Sequence, residues 1–245
     1  MRRFLTGSLL LLVCLGGMRA WPQQTMEHHH HEGMVMDQAE QGPSAQELLS
    51  WQRESERNHH LSGLLLVLAG LLILAHNLWG RFAAVKYLWP ACFLASGLFL
   101  LIYSDTELWP FGPKPWIGGT LTNMEVLQHK IFAVLLLGLG IIELQRARGK
   151  LTAAWSGWVF PVVAMAGSVM LLFHEHHAGM HGPNHMAVMA RIQSEHLSFA
   201  IAGFGIGLTK GMSELNTKSM TIFGKLWPLL LIVLGVLLML YTETP

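Results

Sequence analysis

The chain has 245 residues, 52% of them hydrophobic and only 13% charged, with a formal net charge of +1 and a mean hydropathy of +0.41. Soluble domains carry about 25% charged residues, so half that share points to a membrane, and a near-zero net charge offers no basic field for nucleic acid. Two cysteines, Cys14 and Cys92, exclude a disulfide framework, a zinc ribbon and a thiolate cluster, whereas fourteen histidines beside fourteen methionines direct attention to metal.

Met1-Arg2-Arg3, an apolar run to Leu15 and a small residue at Ala20 predict a secretory signal peptide over residues 1–20, with an uncleaved anchor helix as the alternative. Residues 21–58 are polar with little periodicity and are expected to be a mostly disordered periplasmic segment. They contain Met26-Glu27-His28-His29-His30-His31-Glu32-Gly33-Met34-Val35-Met36, a His/Met tract that reads as metal capture rather than as a preorganised site.

Six apolar segments follow, at 61–79, 84–103, 129–145, 154–174, 196–210 and 225–241. Each is near the ~20 residues needed to cross a ~30 Å hydrocarbon layer, so the expected fold is an all-α membrane protein with six transmembrane helices. Gly203, Gly205 and Gly207 in the fifth permit close helix packing. Three connections are basic: Arg81 and Lys86 in the first, Arg146, Arg148 and Lys150 in the second, Lys210, Lys218 and Lys225 in the third. The connections 104–128 and 175–195 hold only Lys114 and Arg191 against Asp105, Glu107, Glu125, Glu175 and Glu195. Positive-inside then places both mature termini and these two loops in the periplasm of a bacterial inner-membrane protein.

The segments repeat. Asn58-His59-His60-Leu61-Ser62 resembles Ser194-Glu195-His196-Leu197-Ser198, and Lys86-Tyr87-Leu88-Trp89-Pro90 resembles Lys225-Leu226-Trp227-Pro228. Each Trp-Pro is followed at equal spacing by a glycine (Gly97, Gly235), a tyrosine (Tyr103, Tyr241) and an acid (Asp105, Glu243). A looser middle copy has His129, Phe160-Pro161 and His174. The predicted domain over 59–243 is therefore three tandem helical hairpins, 59–104, 128–175 and 195–242.

His60, His129 and His196 open the hairpins, and Tyr103, His174 and Tyr241 close them, so all six share the periplasmic rim. A lone histidine at a helix end is ordinarily an interfacial residue. Three at equivalent positions, with His174 as a fourth, instead predict an ordered metal site, because ionisable groups at membrane depth are costly and turn to the bundle interior. Neutral imidazoles suit copper or zinc. Glu125, Glu175 and Glu195 stand close in sequence and are candidate acceptors for the second ring N–H. The loop from His174 through Glu175, His176, His177, Met180, His181 and His185 to Met186 packs five histidines and two methionines into thirteen residues. Imidazole mixed with thioether serves both copper oxidation states, whereas zinc rarely uses methionine, so copper is favoured over zinc.

His76 lies sixteen residues after His60, about 24 Å along a helix, and so near the cytoplasmic face. A histidine at each end of one helix is also the arrangement of membrane di-haem cytochromes b, which keeps a haem-b electron carrier as the alternative. The third and fifth helices offer no inner histidine to pair with it, and the inner halves show few polar groups beyond His76 and Glu143. No Ser-His-Asp, Cys-His or His-Glu-x-x-His arrangement is present, so no enzyme is expected.

The run Glu125-Val126-Leu127-Gln128-His129-Lys130 resembles the carboxyl-terminal membrane module of CopD-type copper resistance proteins. So do Glu143 before a basic loop, Phe160-Pro161, His174-x-His176, Glu195-His196, Trp227-Pro228 and Tyr241-x-Glu243, a likeness covering residues 105–243. The resemblance implies inner-membrane copper handling, in uptake or resistance, alongside a periplasmic copper-binding protein. The chain departs from that family in lacking a fused periplasmic β-domain and in carrying extra His/Met tracts.

Overall fold

The structure, a computed structural model, describes residues 44–79, 84–174, 185–215 and 217–243. The expected signal peptide, the tract His28 to His31, and Glu175, His176, His177, Met180 and His181 lie outside the described residues, as does the side chain of His185. Among the described residues seven helices and no strands occur: α1 (Ala45–Trp79), α2 (Val85–Ile102), α3 (Trp116–Thr122), α4 (Met124–Ala147), α5 (Ser156–Leu171), α6 (His185–Leu215) and α7 (Thr217–Met239).

Helix α1 begins well before the apolar run, so residues 45–58, expected to be mostly without order, form its first turns. The cause is local. Ser44 and Glu47 make a reciprocal capping box, with Ser44 N–H donating to Glu47 Oε2 at 2.7 Å and Glu47 N–H donating to Ser44 Oγ at 3.3 Å. The extension is then clamped from the side. Thr106 Oγ1 donates to Glu54 at 2.8 Å, and Thr242 Oγ1 and the Glu243 N–H donate to Glu56 at 2.8 and 2.9 Å. At 35 residues α1 is about 52 Å long, well beyond a ~30 Å hydrocarbon layer.

Among the described residues four helices are long and apolar enough to cross a membrane: α1, α2, α4 and α7. Two of the six expected spans differ in character. Helix α5 has 16 residues and stops at Leu171, and in the 31-residue α6 His196, Lys210 and the three glycines dilute the apolar stretch. Leu68, Leu71, Val134, Ile141, Ile201 and Val233 face outward. Soluble monomers rarely expose contiguous apolar patches beyond a few hundred Å², so this surface is that of a multi-pass membrane protein.

Around the bundle the long helices follow the order α4, α2, α1, α7, α6, α5. Every neighbouring pair is broadly packed except the last, α5 with α4, which touch lightly. Helices α4 and α5, consecutive in the chain, are thus splayed, α4 packing on α2 and α5 on α6. Among the described helix glycines the closest approach to a neighbouring helix's backbone is between α1 and α7: a Cβ on Gly63 would lie 2.5 Å from the Gly235 carbonyl oxygen, a contact of the small-residue kind. Pro228 inside α7 deprives the Gly224 carbonyl of its helical donor. The Asn77 amide of α1 supplies one at 2.9 Å.

The aromatic residues before the three helix prolines come together. Trp227 meets Trp89 and Phe160 with ring centres 6.1 and 5.1 Å away, and Phe93 packs on Phe160 at 5.6 Å. This layer is the core of the bundle, with Leu139, Ile206 and Leu231 buried around it. One end of the bundle beyond it carries histidines, and the other carries paired charges.

Candidate metal site

At the histidine end, Asn123 starts α4 by accepting from the backbone N–H groups of Glu125 and Val126 at 3.0 and 3.4 Å. One turn later come Gln128, His129 and Lys130. Lys130 is buried and directs its ammonium at the last turn of α2, donating to the carbonyls of Leu100 and Leu101 at 3.2 and 3.0 Å and to Asp105 Oδ2 at 2.7 Å. A cation is favoured there because the carbonyls at a helix C-terminus lack intrahelical donors. Asp105 also accepts from the Ser104 hydroxyl and, through Oδ1 at 3.0 Å, from His129 Nδ1. Burial pushes the Asp105 carboxyl up, but the hydrogen bond from His129 and the hydrogen bond and charge of Lys130 outweigh it and hold the group below the ordinary carboxylate range.

Four imidazoles form a row across the bundle: His129 on α4, His174 just beyond α5, His196 on α6 and His59 on α1. Successive ring centres are 5.5, 5.1 and 5.9 Å apart. Each ring engages an acceptor through Nδ1. For His129 it is Asp105, and for His174 it is the Gln128 amide oxygen. Gln128 Nε2 donates to the Phe173 carbonyl at 3.1 Å, which fixes the amide with its oxygen toward His174. His196 donates to the Ile192 carbonyl and His59 to the Ser55 carbonyl, both at 2.8 Å and both one helical turn back. Pure acceptors at Nδ1 put the ring proton there and make Nε2 the basic nitrogen, the tautomer that ligates metals. Tyr241 stacks on His59 at 3.9 Å between ring centres, and its hydroxyl donates to Glu243 at 2.8 Å.

Of the four histidines predicted for the ordered site, the structure brings three into the row. His60 stands outside it, with its Nε2 on the Tyr241 carbonyl at 2.9 Å. Its place is taken by His59, because one residue along a helix turns a side chain by about 100°. His59 and His196 share the same one-turn-back hydrogen bond, the local sign of equivalence that matching Leu61-Ser62 with Leu197-Ser198 missed. The acceptors at Nδ1 are likewise not the expected glutamates. Glu125 lines the cavity beneath the row, while Glu195 pairs with Arg191 at 3.1 Å and has its second oxygen buried. Met186, at the start of α6, is exposed.

Two imidazoles on one ion, with each nitrogen about 2.0–2.1 Å from it, put their ring centres roughly 5 to 5.5 Å apart at trigonal or tetrahedral angles. The pairs His129–His174 and His174–His196 have this spacing. The rings nevertheless form a row rather than closing on a point: among the described residues no group of three or more His, Cys, Asp and Glu side chains is drawn together as a metal site.

The opposite end is not the sparsely polar region expected. Arg146 donates to Glu143 at 2.9 Å and to Glu214 at 3.3 Å, and Lys210 completes the network on Glu214. Arg146 and Lys210 were expected as connection charges, yet they pack inward, Lys210 over the Trp227 ring at 5.4 Å. His76 borders this network, its Nδ1 buried and lacking a partner.

Compared with protein-family models, curated proteins and solved structures, the chain matches none.

Proposed function

We propose that this chain is a copper-binding protein of the bacterial inner membrane, with six helices crossing as three hairpins and the histidine end in the periplasm. Copper is its cargo. His28 to His31 and the loop from His176 to Met186 capture the ion, and the row His129, His174, His196 and His59 receives it for transport or for transfer to a periplasmic copper-binding protein. The observation that supports this reading best is the shared tautomer: four rings from four parts of the chain each commit Nδ1 to an acceptor. A row with pairwise ligand spacing suits an ion that is passed along two imidazoles at a time. The likeness of Gln128-His129-Lys130 and Glu195-His196 to CopD-type proteins points the same way, and the methionines of both tracts favour copper over zinc.

The decisive experiment is metal analysis with an absorption spectrum on untagged protein purified from copper-fed membranes. About one or more copper ions per chain and no Soret band are expected, with less copper in the double variant His129→Ala/His196→Ala. Unchanged copper in that variant would confine the metal to the tracts. A reducible Soret band would make the histidines haem ligands instead.

A further inference from the structure

Beneath the histidine row the bundle encloses a cavity of about 570 Å³, within the range of roughly 300–1,000 Å³ typical of small-molecule sites. Below its polar mouth the wall is apolar, including Leu66, Phe132, Val163 and Leu234, and it reaches the aromatic layer at Phe93 and Phe160. Such a lining, with few polar groups, is the ordinary make-up of a ligand pocket.

One polar group interrupts it. Ser96, on α2, lines the cavity eight residues before Ser104, about two helical turns below the mouth. It is 1% exposed, and its hydroxyl oxygen has no hydrogen-bond partner. Ser168, which also lines the cavity, behaves as a helix serine ordinarily does and returns its hydroxyl to the carbonyl one turn back, at 2.7 Å. A buried hydroxyl left unpaired is costly, so its retention deep in an apolar wall marks a place where an oxygen or nitrogen of something else belongs. The way in is equally specific. Helices α4 and α5 both face the cavity yet meet only lightly, where Phe132 lies against Gly167, so this is the most weakly packed seam in its wall.

We propose that the cavity binds a lipid-soluble quinone, its ring against Phe93 and Phe160 and one ring oxygen accepting a hydrogen bond from Ser96. A plain acyl chain would fill the apolar wall and leave Ser96 unpaired. A flat ring bearing oxygen satisfies both the aromatic floor and the hydroxyl, and its isoprenoid tail leaves through the seam. The site uses none of the histidines and stands whether or not the chain handles copper.

The test uses the full chain in detergent with a chelator present and decylubiquinone as the probe, read by quenching of tryptophan fluorescence. Trp89 and Trp227 are positioned to report, with ring centres 6.0 Å from Phe93 and 5.1 Å from Phe160. Saturable quenching is expected that Ser96→Ala weakens about 3- to 10-fold, the worth of one hydrogen bond. Ala164→Phe, which fills the cavity, should remove it. Ser96→Ala deletes only an unpaired hydroxyl and so keeps the fold, whatever becomes of the larger substitution. Quenching that does not saturate overturns the proposal. So does wild-type affinity in Ser96→Ala together with full displacement by oleate, which would make the cavity a general acyl-chain site.

Discussion

The two ends of the bundle solve the problem of polar groups in an apolar setting in opposite ways. At the charged end, Glu143, Arg146, Glu214 and Lys210 satisfy one another, cation against carboxylate, and the result is a closed ionic tie among α4 and α6. At the histidine end one such tie also exists, between Asp105 and Lys130, but it serves a different purpose. Its carboxylate spends one oxygen on the ammonium and the other on His129. The three other rings of the row are oriented by neutral acceptors. One end therefore spends its charges on holding helices together, while the other spends its hydrogen bonds on orienting nitrogens that keep their basicity.

That contrast can be broken most sharply at Asp105. Asp105→Ala leaves the Lys130 ammonium buried and unpaired beneath the row. Removing one partner of a buried pair costs about 3–5 kcal/mol, so a large fall in melting temperature is expected in detergent. Removing the carboxylate and the ammonium together, in Asp105→Ala/Lys130→Met, should recover most of it. A double variant as unstable as the single would show that the pair is not what Asp105 provides.

A smaller effect is expected from Gln128→Leu, which deletes the acceptor of His174 without removing a charge. Outer-shell partners of metal-bound histidine are worth about 10- to 100-fold in affinity, so copper titration should show weakening in that range. Glu214→Gln, at the charged end, should leave copper affinity unchanged while lowering thermal stability. Equal effects of the two on copper would mean that the ends are not functionally distinct.

Acid sharpens the same comparison. Because Asp105 titrates lower in the folded chain than in the unfolded one, its contribution to stability is fully present above about pH 4 and is lost as the pH falls through the folded value. Melting temperature followed downward from pH 5 should decline more steeply in the wild type than in Asp105→Asn. Parallel curves would remove Asp105 from the acid limb. The smallest change expected is for Asn77→Ala, which loses one exposed hydrogen bond to the Gly224 carbonyl. About 0.5–1.5 kcal/mol should be lost, with no effect on copper.

What was legible in the sequence follows from which forces act locally. Apolar runs, helix-opening histidines and the Trp-Pro spacing are short-range patterns, and they foretold a helical membrane protein with histidines gathered at one end. The choice between His59 and His60 was not legible. It depends on helix rotation relative to neighbours, and an alignment of apolar residues sees only spacing. The extension of α1 was hidden for a related reason. Ser44-x-x-Glu47 is a visible capping signal, but the partners that hold residues 45–58, Thr106 and Thr242, lie on other elements. The same holds for Arg146 and Lys210: a charge beside a loop looks solvated until tertiary packing provides carboxylates for it. Asp105 appeared as a connection acid and as a repeat feature, two residues after Tyr103, and its reach to His129 and Lys130 on α4 is a tertiary contact.

The light contact between α4 and α5 has one more consequence. The bundle is built like a book, its spine the close α1–α7 packing at Gly63 and Gly235 and its fore-edge the seam between α4 and α5. His129 and His174 stand on the two covers, one on each side of that fore-edge, with ring centres 5.5 Å apart. An ion shared by these two rings would act as a clasp. Loading the ion and shutting the book would then be a single event, and whatever lay between the covers would stay there until the clasp was undone.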